Sequence, residues 1–133
     1  MAFYLDTSAL VKLVVEEPES DDLRMWLTVE RVVVSCDLAR TSSVRAVRRV
    51  APGSALAARN VLNAVELIAV TPATFEEAGR LDPDALRTLD ALHLAAALEL
   101  GDDLDGIVTY DARLAEAAEA HGVAVVAPGG AHG

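Results

Sequence analysis

The sequence predicts a single α/β domain whose mostly parallel, five-stranded sheet is covered by helices on both faces. Three observations predict it. Short apolar runs alternate with helix-length segments along the whole chain. The runs are continuous rather than polar at every second position, so they have no solvent side to face. The 133 residues are 53% hydrophobic but only 4% aromatic, which calls for a core of Ala, Val and Leu and suits layered packing. Residues 1–128 are expected to form one domain, and 129–133 a flexible tail.

Residues 2–5 read as a short strand, followed by a helix from about Ser8 to Glu16 that Pro18 stops. Ser20 is the expected cap of a second helix, "DDLRMWLTVE", whose Asp21 and Asp22 complement the helix dipole. The β-branched run Arg31–Ser35 is the second strand. Asp37–Val50 is a helix closed by Pro52 and Gly53, and Ser54–Ala64 another. "ELIAV", residues 66–70, is the third strand, followed by a short helix over 73–80. A longer helix has Thr88 as its expected N-cap and Gly101 as its stop. Gly106–Tyr110 is the fourth strand, Ala112–His121 a helix, and Val123–Ala127 the fifth strand. On the first two helices Leu10, Leu13, Val14, Leu23, Trp26 and Leu27 form apolar faces, for which core packing is the default use.

The only cysteine, Cys36, permits no intramolecular disulfide and no Cys-based metal site, and a reducing cytoplasmic setting is the expected one. No apolar run approaches the ~20 residues that span a bilayer, so no membrane association is expected. Eleven Lys plus Arg against 21 Asp plus Glu, a formal charge of −10, excludes bulk electrostatic binding of nucleic acid. Any contact with nucleic acid must be local, and Arg40, Arg45, Arg48 and Arg49 are the candidate ridge.

Asp6 follows the first strand, Asp111 the fourth, and Asp90 falls near the start of the long helix. In an open parallel sheet all three places lie at the carboxyl edge, where ligands bind. Carboxylates 84 and 21 residues apart can thereby meet at one rim. Alone they would repel and take up protons, whereas a hard divalent cation, Mg²⁺ or Mn²⁺, would hold them ionised. Thr7, Ser8 and Thr109 add hydroxyls. His93, three residues after Asp90, reads as a packed, hydrogen-bonded histidine, and His121 and His132 as helix-end and tail residues. Ser8 and Cys36 have no general base fixed beside them by any spacing, so neither is a candidate nucleophile.

The motifs "YLDTSALVKL", "LRTLDALHLAAAL" and "IVTYDARLAEAA", in this order, strongly resemble the PIN-domain ribonucleases, in particular the VapC toxins of bacterial toxin–antitoxin pairs. The resemblance implies a three-layer α/β/α PIN-like domain and a Mg²⁺- or Mn²⁺-dependent endoribonuclease site at Asp6, Asp90 and Asp111. It also implies structured RNA of the tRNA or rRNA class as substrate and a cognate antitoxin as partner; a homodimer is the expected assembly. The chain departs from the pattern at one point. "ARTSSVRAVRR" places Ser42 where the family has a glutamate. Natural drift, an engineered exchange and a relocated acid are the open accounts, and Asp37 is too far along the helix to be the replacement. The alternative to a weakened enzyme is a catalytically silent PIN-fold module that binds antitoxin or RNA. A receiver-like phosphoacceptor would need a lysine near the acids, and Lys12, the only lysine, belongs to the first helix.

Overall fold

The computed structural model describes residues 1–29 and 31–130. Glu30, expected to end the second helix, and the tail residues 131–133, His132 among them, lie outside the described residues. The strands are β1 (Ala2–Leu5), β2 (Val33–Cys36), β3 (Glu66–Ile68), β4 (Leu104–Val108) and β5 (Val125–Val126). The helices are α1 (Thr7–Lys12), α2 (Ser20–Leu27), α3 (Ala39–Val50), α4 (Ala55–Asn63), α5 (Pro72–Arg80), α6 (Thr88–Leu98) and α7 (Ala112–Ala120). Every strand pairing is parallel, in the order β3-β2-β1-β4-β5. Chain order reverses direction across the sheet between β1 and β4, which makes their carboxyl ends the crevice of a doubly wound fold.

Side chains that alternate across β1 divide the core in two. Tyr4 and Ile107 face one layer, with Leu92, Leu94 and Ala95–Ala97 of α6 and Leu114, Ala117 and Ala118 of α7. Leu5 and Val108 face the other, with Ala9 and Leu10 of α1, Leu23 of α2, Ala39 of α3 and Leu62 of α4. The run of alanines lets α6 lie close on the sheet. Gly106 has a similar reason: a Cβ there would sit 3.0 Å from the Ala124 carbonyl oxygen and 3.4 Å from the Phe3 ring. The apolar faces of the first two helices do pack inward, Leu10 and Leu23 completely and Leu13, Trp26 and Leu27 in part. Trp26 meets the Phe3 ring edge-on at 4.9 Å. Among the described residues no helix is long and apolar enough to cross a membrane.

Three expectations about helix ends need correction, and β4 runs Leu104–Val108 where Gly106–Tyr110 is expected. The first helix stops at Lys12, not near Glu16. The Ser20 hydroxyl, expected to cap α2, instead donates to the Lys12 and Val15 carbonyls, 2.7 and 3.2 Å away, folding the chain back on itself. Glu19 holds the N-cap position of α2 without a side-chain capping bond. Thr88 is already the first residue of α6, and Arg87, with extended backbone, holds its N-cap position.

Candidate functional site

Asp6 leaves β1 at the crevice because it caps α1. Its Oδ1 accepts from the Ala9 amide at 3.0 Å and from the Ser8 hydroxyl at 2.7 Å, while Oδ2 accepts from the Thr109 hydroxyl at 2.6 Å. Three of about four lone-pair positions are therefore taken, which fixes the rotamer and leaves one, on Oδ2, for a cation. The carboxyl is 2% exposed. Burial pushes its pKa up to about 6, against the hydrogen bonds of Thr109, Ser8 and the Ala9 amide, which pull it down.

Asp111 leaves β4 in the same manner and caps α7, its Oδ1 accepting from the Arg113 and Leu114 amides at 2.9 and 3.0 Å. That engagement leaves Oδ2 for the cleft. The Thr109 hydroxyl, besides donating to Asp6, accepts from the Asp111 amide at 3.1 Å and so links the two loops. Ser8 does the same from the other side, accepting from the Tyr110 amide at 2.9 Å. Asp90, in the first turn of α6, has its pKa raised by burial first and by the charge of Asp111 second.

Asp6, Asp90 and Asp111 thus line one cleft of about 390 Å³, with Thr7, Ser8, His93 and Tyr110 in its walls. Among the described residues no three His, Cys, Asp or Glu side chains cluster closely enough to cage an ion unaided. Burial nevertheless raises the carboxyl pKa at two of the three acids, Asp6 and Asp90, and a cation bound between them would favour the ionised form. Mg²⁺ and Mn²⁺ suit such a donor set, since Mg²⁺ is held through one or two carboxylates while it keeps several waters. The residues present fit a hard, hydrated cation and not a soft one.

Ser42, in α3, is one hydroxyl removed from Asp6's neighbour: its Oγ lies 2.8 Å from Thr7 Oγ1. Thr7 Oγ1 lies 2.9 Å from His93 Nε2, and His93 Nδ1 lies 2.7 Å from the Tyr4 hydroxyl. Burial keeps the Tyr4 phenol protonated and pushes the His93 pKa down to about 4. A neutral imidazole that accepts from Tyr4 at Nδ1 donates from Nε2 to Thr7, which leaves the Thr7 proton for Ser42. The packed histidine expected from the sequence is thus also a strut behind the cleft. Cys36 is fully buried, and burial raises its thiol pKa, so it offers no thiolate nucleophile.

The candidate arginines stand apart from the acids. Arg40 pairs with Asp37 at 3.1 Å, which also occupies the nearest alternative acid. Arg45, Arg48 and Arg49 line their own shallow concavity on the exposed side of α3, whereas Ala46 of the same helix borders the acid cleft.

Two groups at the cleft are missing from the sequence reading. Lys12, placed only on the first helix, lines the cleft; its ammonium lies 3.0 Å from Glu19, 3.1 Å from Glu17 and 4.7 Å from the centre of the Tyr110 ring. Burial opposes its charge, but Glu19 and Glu17 hold its pKa above the ordinary value. With its charge met on two sides, Lys12 does not make the site a phosphoacceptor pocket. Arg87 is the other: its guanidinium lies 3.8 Å from Asp90 and 3.7 Å from Asp111. The spacing of Arg87 and Asp90, one helical turn, was the available signal.

A family model described as the PIN domain matches residues 3–120. Ribonuclease VapC46 of Mycobacterium tuberculosis is 46% identical over 127 residues, covering 96% of this chain and 98% of that protein. Ribonuclease VapC35 of the same species is 43% identical over 130 residues, covering 95% and 96%. Ribonuclease VapC47 is 37% identical over 131 residues, with the same coverage. The crystal structure of M. tuberculosis VapC20, a Sarcin-Ricin loop cleaving toxin, aligns with a TM-score of 0.76 over 95% of this chain and 99% of that one; at 21% identity, that likeness speaks to the fold. An all-parallel sheet with acids gathered at its β1/β4 crevice, a PIN model spanning most of the chain and relatives aligned almost end to end make this chain a member of the PIN-domain family, among the VapC ribonucleases.

Proposed function

We propose that this chain is a VapC-type toxin, an endoribonuclease that hydrolyses RNA phosphodiesters and is neutralised by a cognate antitoxin. The observation that carries the reading is the meeting of Asp6, Asp90 and Asp111 in one cleft at the sheet's crevice. These three would hold Mg²⁺ or Mn²⁺, which when bound supplies Lewis-acid stabilisation of the phosphoryl charge and an activated water. The chain's own part is positional. Thr109, Ser8 and the Ala9 amide lock Asp6, the α7 amides lock Asp111, and no covalent nucleophile is used. The exposed concavity of Arg45, Arg48 and Arg49 is a place for RNA phosphates on an otherwise acidic protein. The substrate in this reading is structured RNA of the rRNA or tRNA class.

The direct test incubates the purified protein with total cellular RNA in Mg²⁺, Mn²⁺ or EDTA. Cleavage in either metal and none in EDTA is expected; equal cleavage in EDTA would sink the metal-dependent reading. Ser42→Glu should cleave several-fold faster, because the new carboxylate can accept the Thr7 proton and adds negative charge behind Thr7 in the cleft wall. A variant that folds, binds Mn²⁺ and cleaves no faster shows that Ser42 is not standing in an emptied acidic position. The silent binding module then becomes the better account.

Metal affinity also carries a pH signature. With the Asp6 pKa near 6, protons compete with the cation below that value. Calorimetric titration of Mn²⁺ should show affinity falling by up to about tenfold per pH unit below pH 6 and levelling off above pH 7. A flat profile from pH 5 to 7 would remove Asp6 from the ligand set. For the partner, the apolar side chains exposed around α2, Met25 at 71% and Val29 at 57%, suit burial by an antitoxin or by a second copy of the chain. Co-expression with the product of the adjacent gene should yield a co-purifying complex, and separate elution at micromolar concentration would count against the toxin pair.

A further inference from the structure

Arg87 differs from the other ion-paired arginines of this protein. Arg24, Arg40 and Arg80 each close a hydrogen bond with an acid at 2.8–3.1 Å. The Arg87 guanidinium stands 3.8 Å from Asp90 and 3.7 Å from Asp111, beyond hydrogen-bond distance of either, with its side chain 64% exposed. The acids it spans belong to different elements, α6 and α7, and are only 15% and 28% exposed. A cation bridging two half-buried carboxylates without seating on either is held mainly by their shared charge. It lowers the pKa of Asp90, against the rise that burial and Asp111 impose.

We propose that Arg87 is a displaceable counter-ion of the cleft: it neutralises Asp90 and Asp111 while no divalent cation is present and, once those carboxylates are occupied, turns outward to pair with a phosphate of the bound RNA. This deepens the nuclease reading and rests on it. Position makes the movement cheap. Arg87 precedes the first turn of α6 with extended backbone (φ −68°, ψ 153°) and makes no capping bond, so its side chain can swing without disturbing the helix. The guanidinium has five donors in a planar fork, and a phosphate offers the bidentate acceptor that neither carboxylate supplies at 3.7–3.8 Å.

The two roles have opposite signs in one variant. Arg87→Gln should bind Mn²⁺ about three- to tenfold more tightly by calorimetry, because two weak exposed ion pairs no longer compete. The same variant should show a KM for a labelled RNA raised about three- to tenfold, with kcat changed less than twofold. Arg87→Lys keeps the charge but not the fork, so its KM should fall between the two. Unchanged or weaker Mn²⁺ binding in Arg87→Gln overturns the counter-ion role, and an unchanged KM overturns the phosphate role. Absence of Mn²⁺ binding by both the parent and the variant would bring down the cation reading itself, an outcome distinguishable from failure at Arg87 alone.

Discussion

Asp6→Asn is expected to lower metal-dependent RNA cleavage on the order of a hundredfold or more while making the metal-free protein more stable at pH 8, by about 1 kcal/mol. The opposed signs follow from the buried carboxyl. Its pKa rises from 3.8 to about 6 on folding. Between those values the folded state holds the proton more firmly than the unfolded chain, so stability falls as pH rises through that window, and the whole deficit persists above it. The linkage corresponds to roughly 3 kcal/mol at most. Asparagine recovers only part, because its amide Nδ2 would face the buried Thr109 hydroxyl, which already accepts from the Asp111 amide and would lose its acceptor. Thermal unfolding checks the stability arm: the variant should gain at pH 8, match the parent near pH 4, and lack the Mn²⁺-induced rise in Tm expected of the parent. A variant destabilised at pH 8 would mean that the Asp6 hydrogen bonds outweigh its desolvation.

His93→Leu should cost about 3 kcal/mol, the largest stability effect expected from any residue at the cleft. His93 is 1% exposed and serves Tyr4 on one side and Thr7 on the other. Leucine fills much of the volume but deprives the completely buried Tyr4 hydroxyl of its His93 acceptor, leaving only the weaker Cys36 thiol beside it. Tyr4→Phe alone should cost only about 1 kcal/mol, the ordinary worth of one hydrogen bond. The double variant should then be less destabilised than the sum of the two, since Tyr4→Phe removes the hydroxyl that His93→Leu deprives of its partner. Urea unfolding of the four proteins measures this, and strict additivity would show that Tyr4 and His93 are not coupled.

The strand at 2–5, the acid that ends it and the two later acids could be read directly, because each lies inside a local pattern: an apolar run, a cap and a helix start. Even so, the sequence expects β4 over Gly106–Tyr110, whereas it runs Leu104–Val108 and ends where the Thr109 hydroxyl turns to Asp6. That is a contact 103 residues away in sequence, and no local window contains it. The early stop of α1 has the same origin, since Ser20 and the Glu17 and Glu19 partners of Lys12 pull the chain back before its apolar periodicity runs out. Thr88 misleads for a different reason: a hydroxyl next to a helix start satisfies the capping rule equally well one residue inside it. Lys12 and Arg87 were overlooked because single charges on helices carry no mark of which loop will meet them.

The pairing of β1 with β4 has a consequence for synthesis. Ala2 is registered against Leu104 and Leu5 against Val108, so the central strand has one of its two neighbours about a hundred residues further along the chain. A chain still growing on the ribosome carries Asp6 long before it has Asp111, and β1 then has a partner on only one edge. Loop closure of this length is slow and comes late in folding. The acid cleft is therefore completed only when β4, with Asp111 beyond it, has joined β1, and until then the folding chain carries Asp6 without the site it belongs to.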